Sequence, residues 1–409
     1  MNITRRQFLS HGSTASLVAL GGTVAPGLLR RASAAAAGAE HQGRILVVVE
    51  LNGGNDGLNT VIPFEDPNYH RARPELGIRE GIHRLNEQFA LHPAMGELAE
   101  LFKRGRCAIV HGVGYPNPNR SHFRSMEIWH TAQPEATTAE HGWLGSYLDE
   151  VSLDNPSDLN GIAFTERLPQ SLRADHANIP AVRELESYGV FVEGELDAGV
   201  KRGLIKELSE SGGARGSAAV IDFLTRQASQ TYAGAEELRR AAERYQPQGE
   251  YEGPLGGQLR MAAQVIAADL GTRVIHVSLD GFDTHANQPG MHAELLAQLN
   301  HNLWSFLEEV DSIGRADDVL VMTYSEFGRR VRENGSRGTD HGAAAPMLFF
   351  GNRIQPGFHG QPPSLDNLED GDLKHSTDFR SAYQAVLEDW FGTPAKEILG
   401  ATFPKLAVL

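Results

Sequence analysis

Four apolar runs, each closed by Gly, Asp or Ser, constrain the fold of this chain more than any other feature. They are residues 44–51, followed by Gly53-Gly54; 107–110, followed by His111-Gly112; 273–279, followed by Asp280-Gly281; and 318–323, followed by Ser325-Glu326. Each is a largely continuous apolar run rich in β-branched residues, which fits strands covered on both faces of a largely parallel sheet. A fifth run, residues 346–351, has the same character. Helical spacing fills the intervals: Met95 to Arg104 before the second run, and His292 to Val310, where Leu295, Leu296, Leu299, Leu303, Phe306 and Leu307 recur. This alternation predicts an α/β fold, a doubly wound and mostly parallel sheet flanked by helices, over residues 44–409. Residues 175–251 are dominated by Glu, Lys, Arg, Ala and Gly and predict a helical cap or insertion, with helices near 196–211 and 217–245. The Gly and Pro content of residues 351–371 predicts a long ordered surface loop.

The N-terminus predicts where the protein works. Thr4-Arg5-Arg6-Gln7-Phe8-Leu9 reads as a twin-arginine export signal, and Ala32-Ser33-Ala34-Ala35 offers cleavage choices. Ser13 to Leu29 is too short and Gly-rich for a stable membrane anchor. Residues 1–37 are therefore set aside as a signal peptide, the twin-arginine export machinery is a partner, and a periplasmic or secreted protein is expected. That route carries folded proteins and suits a chain loaded with a metal or cofactor before export. The formal charge is −15, and residues 1–37 hold four Arg and no acid, so the remainder is more acidic still. Such a balance argues against nucleic acid or an anionic membrane as the main partner. With 41% hydrophobic and 22% charged residues, the chain can bury a sizeable core. The single cysteine, Cys107, excludes an internal disulfide and reads as an inert core thiol. No segment after the signal is apolar for long enough to span a bilayer.

In an open α/β sheet, ligands gather beyond the carboxyl ends of the strands. Those ends carry Asn52-Gly53-Gly54-Asn55-Asp56, Asp280-Gly281-Phe282-Asp283-Thr284-His285 and Ser325-Glu326, with Thr339-Asp340-His341 just ahead of the fifth run. Carboxylates converging there would repel one another, so a divalent cation is their natural organiser. Asp283-x-His285 and Asp340-His341 are the leading ligand candidates. Mixed oxygen and imidazole donors suit zinc or another first-row ion such as manganese, whereas Asn and Asp alone suit calcium or magnesium. Each His also reads as a loop residue whose tautomer a nearby carboxylate fixes. Gly53-Gly54 completes neither a P-loop nor a dinucleotide fingerprint, and predicts a tight turn that aims Asn55 or Asp56 at the site. Ser121, in Asn119-Arg120-Ser121-His122-Phe123-Arg124, falls at a helix start, either as a nucleophile beside a metal or as an N-cap. Arg120 and Arg124 are candidates to bind an anion. Arg329, Arg330, Arg332 and Arg337 form a second basic group, read either as substrate-binding or as a solvated loop.

These segments together, LNGGNDGLNT (51–60), LHP (91–93), NRSHF (119–123), GWLG (142–145), SEFGRR (325–330) and GTDHG (338–342), resemble domain-of-unknown-function family 1501, whose members are exported by the twin-arginine route. The resemblance runs from about Ile45 to Phe391. That family is grouped with the alkaline phosphatase and sulfatase superfamily, which implies a mostly parallel sheet between helices. It also implies a Ser, Thr or modified Cys nucleophile at a helix start beside one or two divalent metals. Carried over, Asp56 or Asn52 takes the first-strand ligand position and Ser121 the nucleophile position. Asp283 and His285 resemble the superfamily's Asp-to-His metal motif at a spacing shorter by two, Glu326 its later Asp, and His341 its single His before the last core strand. Phe327 departs from the pattern, standing where a metal-binding His is expected, and Asp340 is a candidate to compensate.

The function these features imply is an exported metal-dependent hydrolase of phosphate or sulfate esters, acting on an anionic small-molecule or polymer ester. Ser121 would be the nucleophile, His122 a proton donor, Arg120 and Arg124 the anion clamp, and Asp56, Asp283, His285, Glu326, Asp340 and His341 the metal ligands. The alternative is a non-catalytic periplasmic binding or assembly protein that keeps the fold. An exported redox enzyme draws on the export route alone, since no haem, flavin or cluster motif is present.

Overall fold

The computed structural model describes residues 41, 43–136, 139–154, 157, 159–185 and 234–409. The signal segment and the expected helix near 196–211 lie outside the described residues. The strands of the central sheet are β1 (Ile45–Asn52), β2 (Cys107–Gly114), β3 (Gly161–Ala163), β4 (Val274–Asp280), β5 (Val319–Tyr324), β6 (Ala345–Phe350), β7 (Gly357–His359) and β8 (Thr377–Asp378). Their order is β7-β2-β6-β5-β1-β4-β3, with β8 also paired to β2. Every pairing is parallel except the two made by β6. The chain therefore adopts the mixed α/β architecture expected, a mostly parallel sheet flanked by helices.

Alternation along β1 builds the two faces of the sheet. Ile45, Val47, Val49 and Leu51 join the apolar cluster that contains residues of α1 (Gly96–Lys103), α4 (Gly253–Ala268) and α5 (Gln288–Ser312). Leu46 and Val48 join the cluster on the other face, with α2 (His122–Thr131), α3 (Trp143–Asp154) and α6 (Phe379–Ala385). Burying each Val or Leu in these clusters contributes about 1.5–3 kcal/mol. That double coverage is why β1 is apolar at consecutive positions from Ile45 to Val49.

Strand β6 departs from the expectation that its run resembles the others. It runs antiparallel to both neighbours, so its start, not its end, lies where β1, β4 and β5 finish. This reversal carries His341, four residues ahead of β6, to the carboxyl edge.

Residues 351–371 are not wholly loop. They contain β7 and one strand of a hairpin pairing Leu368–Glu369 with Asp372–Leu373. The second run extends past Val110 to Gly114 through a register shift between Val110 and Val113, where Gly112 adopts φ 59°. The described ends of segment 175–251 belong to the main core: Ile179, Val182, Leu185, Leu238 and Ala242 are buried in the two clusters, and residues 234–244 are helical. A small antiparallel sheet (Val61–Ile62, Ala90–Leu91, His83–Arg84) packs above the carboxyl edge. Arg73, fully buried, ties that region to the later loop by donating to the Val331 and Arg330 carbonyls at 2.9 Å each. Among the described residues, no helix is long and apolar enough to cross a membrane.

Several buried histidines make the fold acid-sensitive. His292 on α5 lies 2.9 Å from Asn55 Oδ1, and burial pushes its pKa down to about 3. Burial likewise lowers His92 and His111 to about 4. These rings are neutral when folded but take up a proton near their ordinary value of 6.5 when unfolded. The folded value is the lower one, so their support is present above pH 6.5 and is lost as pH falls toward 4 and then 3. Each contributes at most about 1.4 kcal/mol per pH unit in that window. Denaturant titrations should show unfolding free energy falling from pH 7 to pH 5, with a shallower fall in His292→Gln. An identical slope in that variant would contradict this origin.

Candidate functional site

At the carboxyl edge, four side chains from three segments converge: His122 from the first turn of α2, Asp283 and His285 after β4, and His341 ahead of β6. The Nε2 atoms of His285 and His341 are 2.9 Å apart. Asp283 Oδ1 lies 3.1 Å from each of them, and Asp283 Oδ2 is 3.5 Å from His122 Nε2. The ring is open to solvent on the side of Asp283 and His285.

The proton positions of these imidazoles follow from what holds their other nitrogens. His122 Nδ1 is 2.7 Å from Glu326 Oε1, His285 Nδ1 is 3.2 Å from Asp340 Oδ1, and His341 Nδ1 is 2.8 Å from the Arg120 carbonyl. Ionised carboxylates and carbonyls only accept, so the network assigns a proton to each Nδ1. In the neutral ring, Nε2 is then a bare lone pair, and each lies beside the Asp283 carboxylate. His122 Nε2 is buried without a hydrogen-bond partner. Two bare nitrogens at 2.9 Å repel unless a proton or a cation lies between them. A histidine whose far nitrogen is held by a carboxylate or carbonyl is the usual support of a metal-bound imidazole. His122, Asp283 and His341 thus form a group able to hold a metal ion.

Charges around the ring reinforce its geometry. Partial burial opposes ionisation of Asp283, but the Arg329 guanidinium, which donates to it, holds its pKa down to about 2. The bond to Glu326 raises His122 against the opposing effect of burial. Asp340 is lowered, first by its hydrogen bond from Asn334, which donates at 3.1 Å.

Two of the expected ligands stand behind the rings instead of in them. Glu326, with no exposed side-chain surface, accepts from Gly53 N at 3.0 Å and Gly54 N at 3.1 Å as well as from His122. The Gly53-Gly54 turn, at φ 117° and 79°, therefore presents backbone N–H groups to Glu326. Asn55 and Asp56 turn away from the ring. Asp340 backs His285 in the same way. Phe327 lies against His122 and His341, with ring centroids 4.9 and 4.5 Å away, and floors the site as an apolar support.

Asp56 is engaged elsewhere. It is buried in an ion pair with Arg73 at 2.6 Å, and Gln288 donates to the same oxygen. Burial opposes its ionisation, but the Arg73 charge holds its pKa below the ordinary value. Asn52 donates to Asp280 at 2.9 Å. Arg120 pairs with the buried Asp372, while Arg124 binds Glu127 at 2.7 Å and the Pro134 and Ala136 carbonyls. The second basic group is dispersed: Arg329 is buried and donates to the Gly53, Gly54, Phe282 and Thr339 carbonyls, and Arg337 pairs with Glu75 at 3.3 Å. Sequence reasoning missed Arg329 as the anchor of Asp283, which it reaches at 2.7 Å. Ser121 is the exposed N-cap residue of α2 and makes no capping hydrogen bond through its side chain. A cleft of about 230 Å³ opens nearby, lined by Tyr115, Arg120, Ala343, Lys374 and His375 among others.

Residues 44–387 match the family described as "Protein of unknown function (DUF1501)", and the chain belongs to that family. No curated protein matches the sequence. Among solved structures it is similar to the C-terminal periplasmic domain of EcEptC from Escherichia coli in complex with Zn, at 10% identity and TM-score 0.36, covering 76% of this chain and 74% of that one. It is also similar to the lipoteichoic acid synthase LtaP from Listeria monocytogenes, at 10% identity and TM-score 0.37, covering 79% and 69%. A third is the PsFucS1 sulfatase from Pseudoalteromonas sp., at 10% identity and TM-score 0.36, covering 91% and 72%.

The packing under the ring leaves no room at Gly54, where an added Cβ would stand 2.3 Å from the Phe327 ring. Gly54→Ala should destabilise the protein by about 1–3 kcal/mol, because its left-handed backbone adds strain to the clash. Denaturant titration checks this; an unchanged midpoint would contradict the described packing.

Proposed function

We propose that this chain is a metal-dependent hydrolase of phosphate or sulfate esters, exported by the twin-arginine route and acting outside the cytoplasm. The observation that carries the reading is the approach of three imidazole Nε2 atoms to the Asp283 carboxylate, those of His285 and His341 at 3.1 Å and that of His122 at 3.5 Å, each ring anchored through its Nδ1. Three imidazoles and one carboxylate suit zinc first, then manganese, whereas calcium and magnesium favour oxygen-only shells. Bound there, such an ion supplies Lewis acidity, lowering the pKa of a nearby hydroxyl and offsetting charge on the ester oxygens. Asp283 stays ionised at neutral pH and serves as a ligand. His122, first read as a proton donor, is assigned to the ligand ring.

Ser121 is the proposed nucleophile. It sits between Arg120, whose carbonyl holds His341, and His122, whose ring reaches Asp283. Its hydroxyl is exposed at the N-terminus of a ten-residue helix, where free N–H groups and the helix dipole favour an anionic ester. A second reading, a binding or assembly protein without catalysis, is favoured by one observation. Arg120, Arg124 and Arg329 are each committed to a carboxylate within the fold.

Metal analysis of the purified protein, with turnover of p-nitrophenyl phosphate and sulfate, tests both readings. Ser121→Ala should abolish turnover with metal content unchanged, and retained turnover removes that role from Ser121. Asp340→Asn, which weakens the support of His285, should loosen the metal by about 10- to 100-fold. Stoichiometric metal without turnover of any ester would favour the binding reading.

A further inference from the structure

A second histidine–carboxylate cluster lies inside the protein, on the face of the sheet covered by α2. Glu50 of β1 is in register with Tyr324 of β5, and His276 of β4 with Val48 of β1. His130 descends from the last turn of α2. Glu50 Oε2 lies 3.2 Å from His130 Nε2 and 3.1 Å from His276 Nε2, and Tyr324 donates its hydroxyl to the same oxygen at 3.0 Å. The Glu50, His130 and His276 side chains are at most 7% exposed.

A conventional buried ion-pair network does not account for this arrangement. Neither ring nitrogen of His276 has a hydrogen-bond partner, although the residue is 1% exposed. Its Nε2 lies 3.1 Å from a carboxylate oxygen that His130 and Tyr324 also approach. A coordinated ion would give both imidazoles and the carboxylate a common partner. Bonds of about 2.0–2.1 Å in a tetrahedral shell place ligand atoms roughly 3.3–3.4 Å apart, close to the spacings seen here. The surroundings are apolar and aromatic, with the Trp129 ring stacked on Tyr324 at 5.7 Å.

We infer that Glu50, His130 and His276 form a second, buried site for one divalent first-row ion, zinc by donor set, with Tyr324 steadying the carboxylate. The ion ties β1 and β4 to α2, and through Tyr324 to β5. α2 also carries His122, eight residues and about 12 Å of helical rise before His130. The buried site thus holds in place the helix that presents His122 and Ser121 at the edge. It is a structural site, and it does not depend on the hydrolase reading.

The test uses the full chain carrying His285→Ala and His341→Ala, which removes the edge ring at partly exposed positions, with zinc alone added. One tight equivalent should remain, and its X-ray absorption spectrum should show two imidazoles and oxygen at about 2.0–2.1 Å. Adding Glu50→Gln should remove that equivalent and abolish the rise in melting temperature with zinc. Absence of bound zinc in the double variant overturns the inference, as does a spectrum without two imidazoles. Retention of zinc in a folded Glu50→Gln protein also overturns it. If Glu50→Gln does not fold, stoichiometry and spectrum of the double variant decide.

Discussion

The Glu326 carboxylate, fully enclosed, takes hydrogen bonds from the turn after β1 and from the first residue of α2, while its own backbone follows β5. A buried charge left unpaired costs several kcal/mol, so these donors must stay where they are. That requirement sets the Gly53-Gly54 turn, whose N–H groups point inward because both residues adopt positive φ. It also sets the orientation of His122 and, through Phe327 packed against His122 and His341, the floor of the ring. Arg329 extends the same network by gathering four backbone carbonyls and Asp283 around one guanidinium.

The reversed strand β6 adds the other half of the edge. Three segments reach it in the ordinary way, at the ends of β1, β4 and β5, but His341 arrives from a segment that enters the sheet there. Its tautomer is then set by the Arg120 carbonyl, a residue more than two hundred positions away. The edge is therefore a product of topology as much as of motif.

Much of this was legible in the sequence. Consecutive apolar runs marked the buried strands because both faces are covered, and Asp283, His285 and His341 were visible because polar residues at strand ends have few structural reasons to be there. What was not legible depended on direction and distance. Whether Glu326 and Asp340 face a cation or the back of a histidine is decided by side-chain geometry that spacing does not encode. The Asp56–Arg73 and Arg120–Asp372 pairs join residues 17 and 252 positions apart, so both looked like free functional groups. Glu50 and His276 lay hidden within strand-like runs, where single polar residues read as tolerated exceptions. The described ends of segment 175–251 pack as core because Leu238 and Ala242 face the sheet domain.

Anomalous diffraction at the zinc edge from crystals of the purified full chain would show directly whether the edge ring holds an ion. A peak should stand between Nε2 of His122, His285 and His341 and Asp283, about 2.0–2.1 Å from the coordinating nitrogens. An edge without anomalous density after zinc is supplied, with His285 and His341 still paired nitrogen to nitrogen through a shared proton, would contradict it.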